Sequence, residues 1–198
     1  MTVVRLGEAD LARAAEVVGD GFFADPLLAY AIPDDDDRRT LAPAHFLPVA
    51  RLAFQVGEVW WDGDAVACWL PPGHHDATED EAVAAGLDRM ADHVGAEPAA
   101  RLDGVFDHLR ERRLALGVPD HWYLALLGVR TSAQGRGLGG AVIAPRLALA
   151  DEAGEWCFLE TLGERNVPFY ERHGFDLVES GVEPGSGLPY WMLLRRPR

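Results

Sequence analysis

Lysine is absent from this chain of 198 residues, and all 18 of its basic residues are arginines. A nucleotide-binding loop of the Walker type ends in Gly-Lys-Ser or Gly-Lys-Thr, so this class of site is excluded. Cysteine is nearly absent as well, since Cys68 and Cys157 are the only two. Two cysteines in separate apolar runs exclude a disulfide framework. We expect both to be buried, reduced thiols.

Long apolar runs are also missing, because none reaches the roughly 18–20 residues that cross a bilayer. Residues 1–10 lack the basic patch and apolar stretch of a signal peptide. We therefore expect a cytoplasmic protein with no membrane association. His74 and His75 follow Pro71-Pro72-Gly73 without the spacing of a metal-binding motif, so no metal is predicted.

The chain has few positive charges relative to negative ones, and its formal net charge is −14. A phosphate backbone would be repelled on average, so nucleic acid is not expected as a partner. An acidic protein favours cationic partners such as amines, and it can still bind an anion where local donors face it.

The length and the 48% hydrophobic content predict one compact domain over residues 1–198. Apolar periodicity predicts the strands 2–6, 56–61, 65–70, 122–129, 156–162, 175–180 and 188–194. The predicted helices are 8–23, 41–56 with interruptions at Pro43 and Pro48, 79–93, 98–116, 137–153 and 166–173. The acidic run 34–37 is a solvated turn or a helix start, and Pro26 is expected to break the chain.

This order of elements predicts an α/β fold, in which a mixed sheet carries helices on its faces. The helices 79–93 and 98–116 belong to an insertion of about residues 74–118. It separates the predicted hairpin from the next strand, and we expect it to wall a substrate pocket.

A glycine-rich turn follows the strand 122–129 and opens a helix. Its residues are Gln134, Gly135, Arg136, Gly137, Leu138, Gly139 and Gly140. Glycines allow a ligand to approach the backbone, and the unpaired N–H groups of a helix start favour an anion such as pyrophosphate. Three interpretations stay open on the pattern alone: a pyrophosphate site, a dinucleotide fingerprint with Glu155 or Glu160 near the ribose spacing, and a turn without a ligand.

The turn resembles the acetyl-CoA motif of the GNAT superfamily of N-acetyltransferases. A second block, Asn166-x-x-x-Tyr170-x-x-x-Gly174-Phe175, follows at the spacing typical of that superfamily. The resemblance implies a mostly antiparallel sheet that is splayed between two strands, with helices on both faces and a helical insertion before the cofactor strand. It also implies acetyl transfer to a primary amine by direct attack in a ternary complex.

More narrowly, the chain is similar to the puromycin N-acetyltransferase branch, most clearly over residues 122–175. The similarity is slight over residues 76–116, where an acceptor would be selected, so it does not assign puromycin as the substrate. A homodimer is compatible with the superfamily.

The resemblance also implies which residues bind acetyl-CoA. Backbone groups of Leu127 and Val129 would pair with the pantetheine arm, and the glycine turn would hold the pyrophosphate. Asn166, the only asparagine, would hydrogen-bond the arm, and Tyr170 would stand near the sulfur. The predicted cofactor-binding residues are Leu127, Gly128, Val129, Gln134, Gly135, Arg136, Gly137, Leu138, Gly139, Gly140, Asn166 and Tyr170.

Acetylation of an alkylammonium needs a base, because the charged amine is not a nucleophile. Glu160 is the first candidate, against a role as a surface acid, and His121 is the second. The Val129 N–H would stabilise the developing oxyanion. Tyr170 would protonate the departing thiolate, unless it serves only as core packing.

Several aromatic residues and one acid are candidates to shape the acceptor pocket: Phe22, Asp25, Trp60, Trp69, Tyr123 and Trp191. Each aromatic residue could equally belong to the core, and Asp25 could be a turn or helix-end residue before Pro26. Two other functions stay open at this point. One is a non-catalytic acyl-CoA sensor, and the other is a protein or peptide N-acetyltransferase, which would need an open groove.

Overall fold

The computed structural model of the chain describes residues 2–198. Within this range seven strands form one sheet: β1 (Val4–Arg5), β2 (Glu58–Trp61), β3 (Ala65–Leu70), β4 (His121–Val129), β5 (Trp156–Thr161), β6 (Asp176–Val182) and β7 (Pro189–Arg195). The same range contains eight α-helices: α1 (Leu11–Gly21), α2 (Pro26–Ala31), α3 (Asp35–Val56), α4 (Glu79–Ala85), α5 (Met90–Val94), α6 (Ala96–Leu116), α7 (Leu138–Ala153) and α8 (Val167–Arg172).

The strand order in the sheet is β1-β2-β3-β4-β5-β7-β6. Every neighbouring pair is antiparallel except β4 and β5, which run parallel. The parallel pair is linked by α7, as a crossover connection requires. The predicted mixed, mostly antiparallel sheet is confirmed.

The two parallel strands stay together over only a third of β4. His121, Trp122 and Tyr123 pair with the first three residues of β5. From Leu124 to Val129, β4 pairs with β3 on one side and has no strand partner on the other within residues 2–198. The predicted splay between two strands is thereby confirmed.

A buried arginine on α7 fastens the closed end of this splay. The Arg146 guanidinium lies 3.3 Å from Glu58 of β2 and 3.4 Å from Glu155, which precedes β5. It also lies 4.2 Å from the ring centre of Trp122 in β4, whose Nε1 donates to Glu155 over 2.8 Å. These contacts connect the first residues of β2 and β4 with the residue before β5, at the end of the sheet where β4 and β5 still pair.

Helices cover both faces of the sheet, as predicted. Helices α1 and α3 pack on one face, where residues such as Val18 and Phe46 are buried. Helix α7 covers the other face, and its Ile143 packs in a core that includes Trp69 and Phe175. Within residues 2–198, no helix combines the length and apolarity that a membrane crossing requires.

Helix α3 is longer than expected and runs through both of its prolines, so the predicted interruptions are wrong. It begins at the acidic run, where the Asp34 carboxylate accepts the N–H groups of Asp36 and Asp37 at 2.9 Å each. Interior prolines cost helix stability because each removes a hydrogen bond. The helix keeps its course because its length packs against α1 and buries a row of side chains: Ala42, Phe46, Ala50 and Ala53.

Two other boundaries differ from expectation. Pro26 does not break the chain but starts α2, since Asp25 caps the helix and proline suits the first helical turn. The predicted helix 79–93 is divided at Gly86, whose φ of +86° is left-handed. A short 3₁₀ turn, Leu87–Arg89, then leads into α5. The insertion is helical as predicted. Its helices α4 and α5 pack on α3, and its helix α6 packs on α2.

Candidate active site

A cavity of about 970 Å³ lies where β4 and β5 part. This volume is at the upper end of the range of roughly 300–1,000 Å³ typical of small-molecule sites. One side is formed by the open part of β4 and the glycine-rich turn, and the opposite side by α2, α3 and α6. The insertion therefore forms one wall of the cavity.

The open edge of β4 presents backbone groups to this cavity. The Arg130 N–H donates to the Asp64 carbonyl in the β3 direction over 2.8 Å. Because backbone direction alternates along a strand, the N–H and C=O groups of Leu127 and Val129 point the other way, into the splay. Both residues line the cavity, and the Gln134 side chain donates to the Val129 carbonyl over 3.2 Å.

A glycine that the sequence analysis did not single out lies against this edge. A Cβ atom at Gly21, the last residue of α1, would lie 2.9 Å from the Val129 nitrogen and 2.7 Å from its oxygen. Any side chain there would collide with the Val129 backbone. A single glycine at a helix end carries no signal in the sequence that would reveal this contact.

The glycine-rich turn has the conformation that an anion cradle needs. Gly135 and Gly137 have left-handed φ values of +75° and +79°, and a Cβ atom at either would meet nothing within 4 Å. Helix α7 begins immediately after Gly137, with no side chain capping it. Its first N–H groups are therefore available to an anionic ligand. The turn fits a pyrophosphate, which is the group that the resemblance predicted here.

Three members of the predicted cofactor set do not line the cavity. Gly128 is a packing position, because a Cβ there would lie 2.8 Å from the Val18 Cα and its backbone faces β3; its assignment to the cofactor stays a prediction. A Cβ at Gly140 would lie 2.8 Å from the His173 ring, so this glycine admits α8 beside α7. Arg136 is exposed outside the cavity.

Asn166 and Tyr170 both line the cavity on the β5 side. The Asn166 amide donates to Thr161 Oγ1 over 3.0 Å, which leaves its carbonyl oxygen as an acceptor. Tyr170 is buried, and burial raises the pKa of its phenol above the ordinary value, with a further contribution from Asp25. At neutral pH this phenol is protonated, as a proton donor must be.

Glu160 lies at the centre of the site, on the part of β5 that has separated from β4. Burial raises the pKa of its carboxyl group to about 7, and the nearby Tyr123 hydroxyl and the charge of Arg113 oppose the increase. Its Oε2 atom makes no hydrogen bond to any residue in the range 2–198. A carboxyl with a pKa near neutrality is suited to take up and release a proton.

His75 is a site residue that the sequence analysis considered only as a metal ligand. Its Nε2 lies 3.7 Å from Glu160 Oε1, and its ring stacks on Tyr123 with centroids 3.5 Å apart. One histidine in a loop after Pro71-Pro72-Gly73 has no pattern that predicts this position. His121, the second candidate base, does not reach the cavity, because it lines a separate pocket behind His75.

The part of the cavity beyond Glu160 is mainly apolar. Its lining comes from four helices and includes Leu28, Phe46, Val49, Leu52, Met90, Leu102, Phe106 and Leu109. His45 also lines it, and burial lowers the pKa of this imidazole to about 4, so it is neutral. Asp103 and Asp107 add two carboxylates on one turn of α6.

Of the predicted acceptor residues, Phe22, Asp25 and Tyr123 line the cavity. One oxygen of Asp25 caps α2 by accepting the N–H groups of Leu27 at 2.9 Å and Leu28 at 3.4 Å. The cap explains why this acid precedes a proline. Burial raises the pKa of the carboxyl above its usual value.

The three predicted tryptophans do not line the cavity, so their assignment to the acceptor pocket stays a prediction. Trp69 is 0% exposed in the core beneath α7. Trp60 and Trp191 pack against that same core, on the sheet face that α7 covers. The Trp60 indole N–H donates to Glu58 over 2.8 Å. The alternation of each strand shows which residues share a face, but it does not show which face borders the cavity.

Residues 54–175 match the model of the acetyltransferase (GNAT) family. An uncharacterized N-acetyltransferase from Schizosaccharomyces pombe is 26% identical over 219 residues, which cover 100% of this chain and 84% of that protein.

Solved structures show the same fold. A Corynebacterium glutamicum protein described as a histone acetyltransferase and related acetyltransferase superposes with a TM-score of 0.65 at 23% identity, covering 100% of this chain and 96% of that one. Arylalkylamine N-acetyltransferase 2 from Aedes aegypti gives a TM-score of 0.66 at 15% identity, covering 99% and 98%. The family match extends over more than half of the chain and includes β4, the glycine-rich turn and Glu160. The chain therefore belongs to the acetyltransferase (GNAT) family, and it is an acetyltransferase.

Proposed function

We propose that this enzyme transfers the acetyl group of acetyl-CoA to the primary amine of a small molecule that has an apolar body. The observation that carries the proposal is the position of Glu160. This buried carboxyl lies between the open edge of β4 and the apolar part of one cavity. Acetyltransferases of this family use acetyl-CoA as the donor, and the two halves of the cavity suit a donor and an acceptor.

The donor half has the groups that coenzyme A requires. We assign the pyrophosphate to the turn from Gln134 to Gly140, through backbone N–H groups. The pantetheine amides would pair with Leu127 and Val129, which have no strand partner on this side. Asn166 supplies an acceptor beside the same path. When bound, acetyl-CoA supplies the acetyl thioester that the amine attacks.

The chain's own groups then have defined tasks. Glu160 takes a proton from the ammonium form of the acceptor and so makes it nucleophilic. The Val129 N–H faces the splay, where a fixed donor in a site shielded from water stabilises negative charge on oxygen. Tyr170 carries a phenolic proton and lines the cavity on the side of Asn166, which supports a role in protonating the thiolate.

The acceptor half argues for a small molecule. Helices α2, α3 and α6 enclose it, whereas a protein acceptor needs an open groove for its chain. Its leucine, phenylalanine and methionine lining stabilises an apolar group by about 25 cal/mol for each Å² buried. Membership of the puromycin N-acetyltransferase branch also remains a proposal. It agrees with this pocket, since puromycin carries an amine on an aromatic body.

The test is the release of free thiol from acetyl-CoA in the presence of a panel of amines. The panel contains phenylalkylamines, puromycin, linear polyamines and short peptides. We expect turnover with the apolar amines and little with the polyamines or peptides. Coenzyme A binding without turnover of any amine would favour the non-catalytic sensor instead.

A tyrosine substitution sharpens the distinction between an enzyme and a sensor. Tyr170→Phe should lower turnover by roughly 10²-fold, the lower end of the usual contribution of a positioned proton donor, while the affinity for coenzyme A measured by calorimetry stays within twofold. Tyr30→Phe, on α2 outside the cavity lining, is the matched control and should have wild-type turnover. Equal turnover by both variants would remove Tyr170 from the mechanism.

A further inference from the structure

His75 borders two cavities at once. It lines the main cavity beside Glu160, and it also lines a second pocket of about 270 Å³ on the far side of its loop. The second pocket, called here the outer pocket, is lined by His75, Asp76, Arg113, Leu114, Asp120 and His121, with Gly73 and residues 117–119. Leu114 is 55% exposed and Asp120 is exposed, so the outer pocket opens to solvent.

Three side chains form a line between the two cavities. Glu160 Oε1 lies 3.7 Å from His75 Nε2, and His75 Nδ1 lies 3.4 Å from His121 Nε2. His121 Nδ1 lies 2.7 Å from the Pro119 carbonyl oxygen. The first separation is longer than a hydrogen bond, and such contacts in ligand-free sites often tighten when substrate binds.

The fixed end of this line sets the protonation of every member. A carbonyl oxygen only accepts, so His121 Nδ1 must carry a proton that it donates to Pro119. In the neutral ring, Nε2 is then bare and accepts from His75 Nδ1–H. His75 Nε2 is bare in turn and faces Glu160 Oε1. Both imidazoles therefore present a bare nitrogen toward Glu160 and an N–H group on the side away from it.

We propose that the proton taken from the amine leaves the site along this line, from Glu160 through His75 and His121 to water in the outer pocket. This inference rests on the proposed function, because it starts from the proton that Glu160 removes. Breaking the Glu160 O–H bond accompanies formation of His75 Nε2–H. Breaking His75 Nδ1–H accompanies formation of His121 Nε2–H.

The charged His121 ring then releases its Nδ1 proton to water in the outer pocket, which leaves each imidazole with its proton on Nε2. Both rings return to the Nδ1–H tautomer by exchanging a proton with water, losing one from Nε2 and gaining one on Nδ1, after the products have left. No electrons are exchanged, and the net change is one proton moved from the amine to solvent.

The charges around the line keep His75 uncharged between proton transfers. Burial lowers the pKa of His75 to about 2, and the charges of Arg113, His121 and Arg110 lower it further. A ring that resists a net charge passes a proton by accepting at one nitrogen while giving at the other. His121 is less buried than His75, and although burial lowers its pKa, Asp120 opposes that effect. Asp76, which pairs with Arg113 at 2.8 Å, lines the outer pocket together with His121.

The first test needs no turnover. Long-range ¹H–¹⁵N spectra of the imidazole rings at pH 7, assigned with His75→Phe and His121→Ala, report which nitrogen of each ring carries the proton. We expect both rings to be neutral with the proton on Nδ1. A proton on His75 Nε2 would overturn the relay whatever the enzyme acetylates.

The second test is kinetic. His75→Phe keeps a ring on Tyr123 but has no nitrogen, so we expect turnover of an apolar amine at pH 7 to fall by roughly 10²-fold, with coenzyme A affinity within twofold. The loss should shrink at pH 9–10, where more of the amine arrives without its extra proton. His74→Ala is the matched control, because the neighbouring His74 contacts Glu81 at 2.7 Å outside both pockets. A loss that is the same at every pH would show a structural role and overturn the proposal.

The third test is chemical rescue. His121→Ala should lose turnover similarly, and added imidazole should restore part of it by entering the outer pocket. Pyrrole, a ring of similar size that has no nitrogen able to accept a proton, should not. Equal rescue by both compounds, or by neither, would contradict the relay. A wild-type enzyme that acetylates no amine would refute the proposed function, whereas the tautomer pattern decides the proposed line separately.

Discussion

The two halves of the cavity are built by different means. The donor half consists largely of backbone: the unpaired edge of β4, the turn with Gly135 and Gly137, and the first N–H groups of α7. The acceptor half consists of side chains from four helices that are far apart in sequence. A site made of backbone suits one common donor, and a site made of side chains can be altered residue by residue for a particular acceptor.

The largest expected effect lies where the two halves meet. Glu160→Gln should lower turnover by on the order of 10²–10⁴, the usual contribution of a general base. Since burial raises the pKa of Glu160 to about 7, its carboxylate form is lost as the pH falls through 7. Wild-type turnover should therefore decrease as the pH is lowered below 7. The turnover of Glu160→Gln should not show this decrease at acidic pH.

The matched control is Glu152→Gln, an exposed acid on α7. It should keep both the rate and the pH profile of the wild type, measured by thiol release from pH 5 to pH 9. An unchanged acidic limb in Glu160→Gln would assign the base to another group.

A smaller effect should be confined to the donor half. Gly137→Ala places a side chain at a φ of +79°, which costs about 1 kcal/mol in stability, and it fills space beside the turn. We expect coenzyme A affinity measured by calorimetry to fall by roughly 10-fold, equivalent to about 1.4 kcal/mol. Gly154→Ala has a similar φ of +71° at the other end of α7. It should lower the melting temperature equally but leave coenzyme A affinity unchanged, and weakened binding in both variants would contradict the assignment.

The smallest effect should be confined to the acceptor half. Phe106→Ala removes a partly exposed ring from the cavity wall. The lost apolar contact corresponds to about 1 kcal/mol, so KM for an apolar amine should rise by roughly fivefold while KM for acetyl-CoA stays constant. Val83→Ala, an exposed position on α4 that does not line the cavity, is the control. A rise in KM for acetyl-CoA would show that the two halves are not separable.

The same contrast explains what the sequence could predict. The donor half could be predicted from the sequence, because a site made of backbone needs glycines at fixed positions. The pattern of apolar residues also located β4 and β5. The splay itself came from the resemblance to a family and not from any pattern of residues. Gly21 was missed because its role depends on α1 lying against Val129, which is a contact over more than a hundred residues.

The acceptor half could not be derived in this way. Its aromatic candidates were chosen by type, and Trp69 proved to lie under α7 because either face of a strand can be the buried one. No sequence pattern predicts that His75 belongs to the site, since only the folded loop brings it between Glu160 and His121. Helix α3 was shortened in the prediction because proline lowers local helix propensity, whereas packing on α1 outweighs that cost.

The parting of β4 and β5 creates a sheet edge inside the molecule. Exposed edges invite other chains to add a strand, and proteins usually protect them by charge, bulges or cover. Here the part of β4 without a strand partner is partly covered by α1 and the Gln134 side chain. This cover leaves less room for the edge strand of another folded protein than for a thin, extended ligand. The same geometry that makes β4 receptive to a thin, amide-bearing molecule therefore keeps its hydrogen-bonding capacity from promoting aggregation.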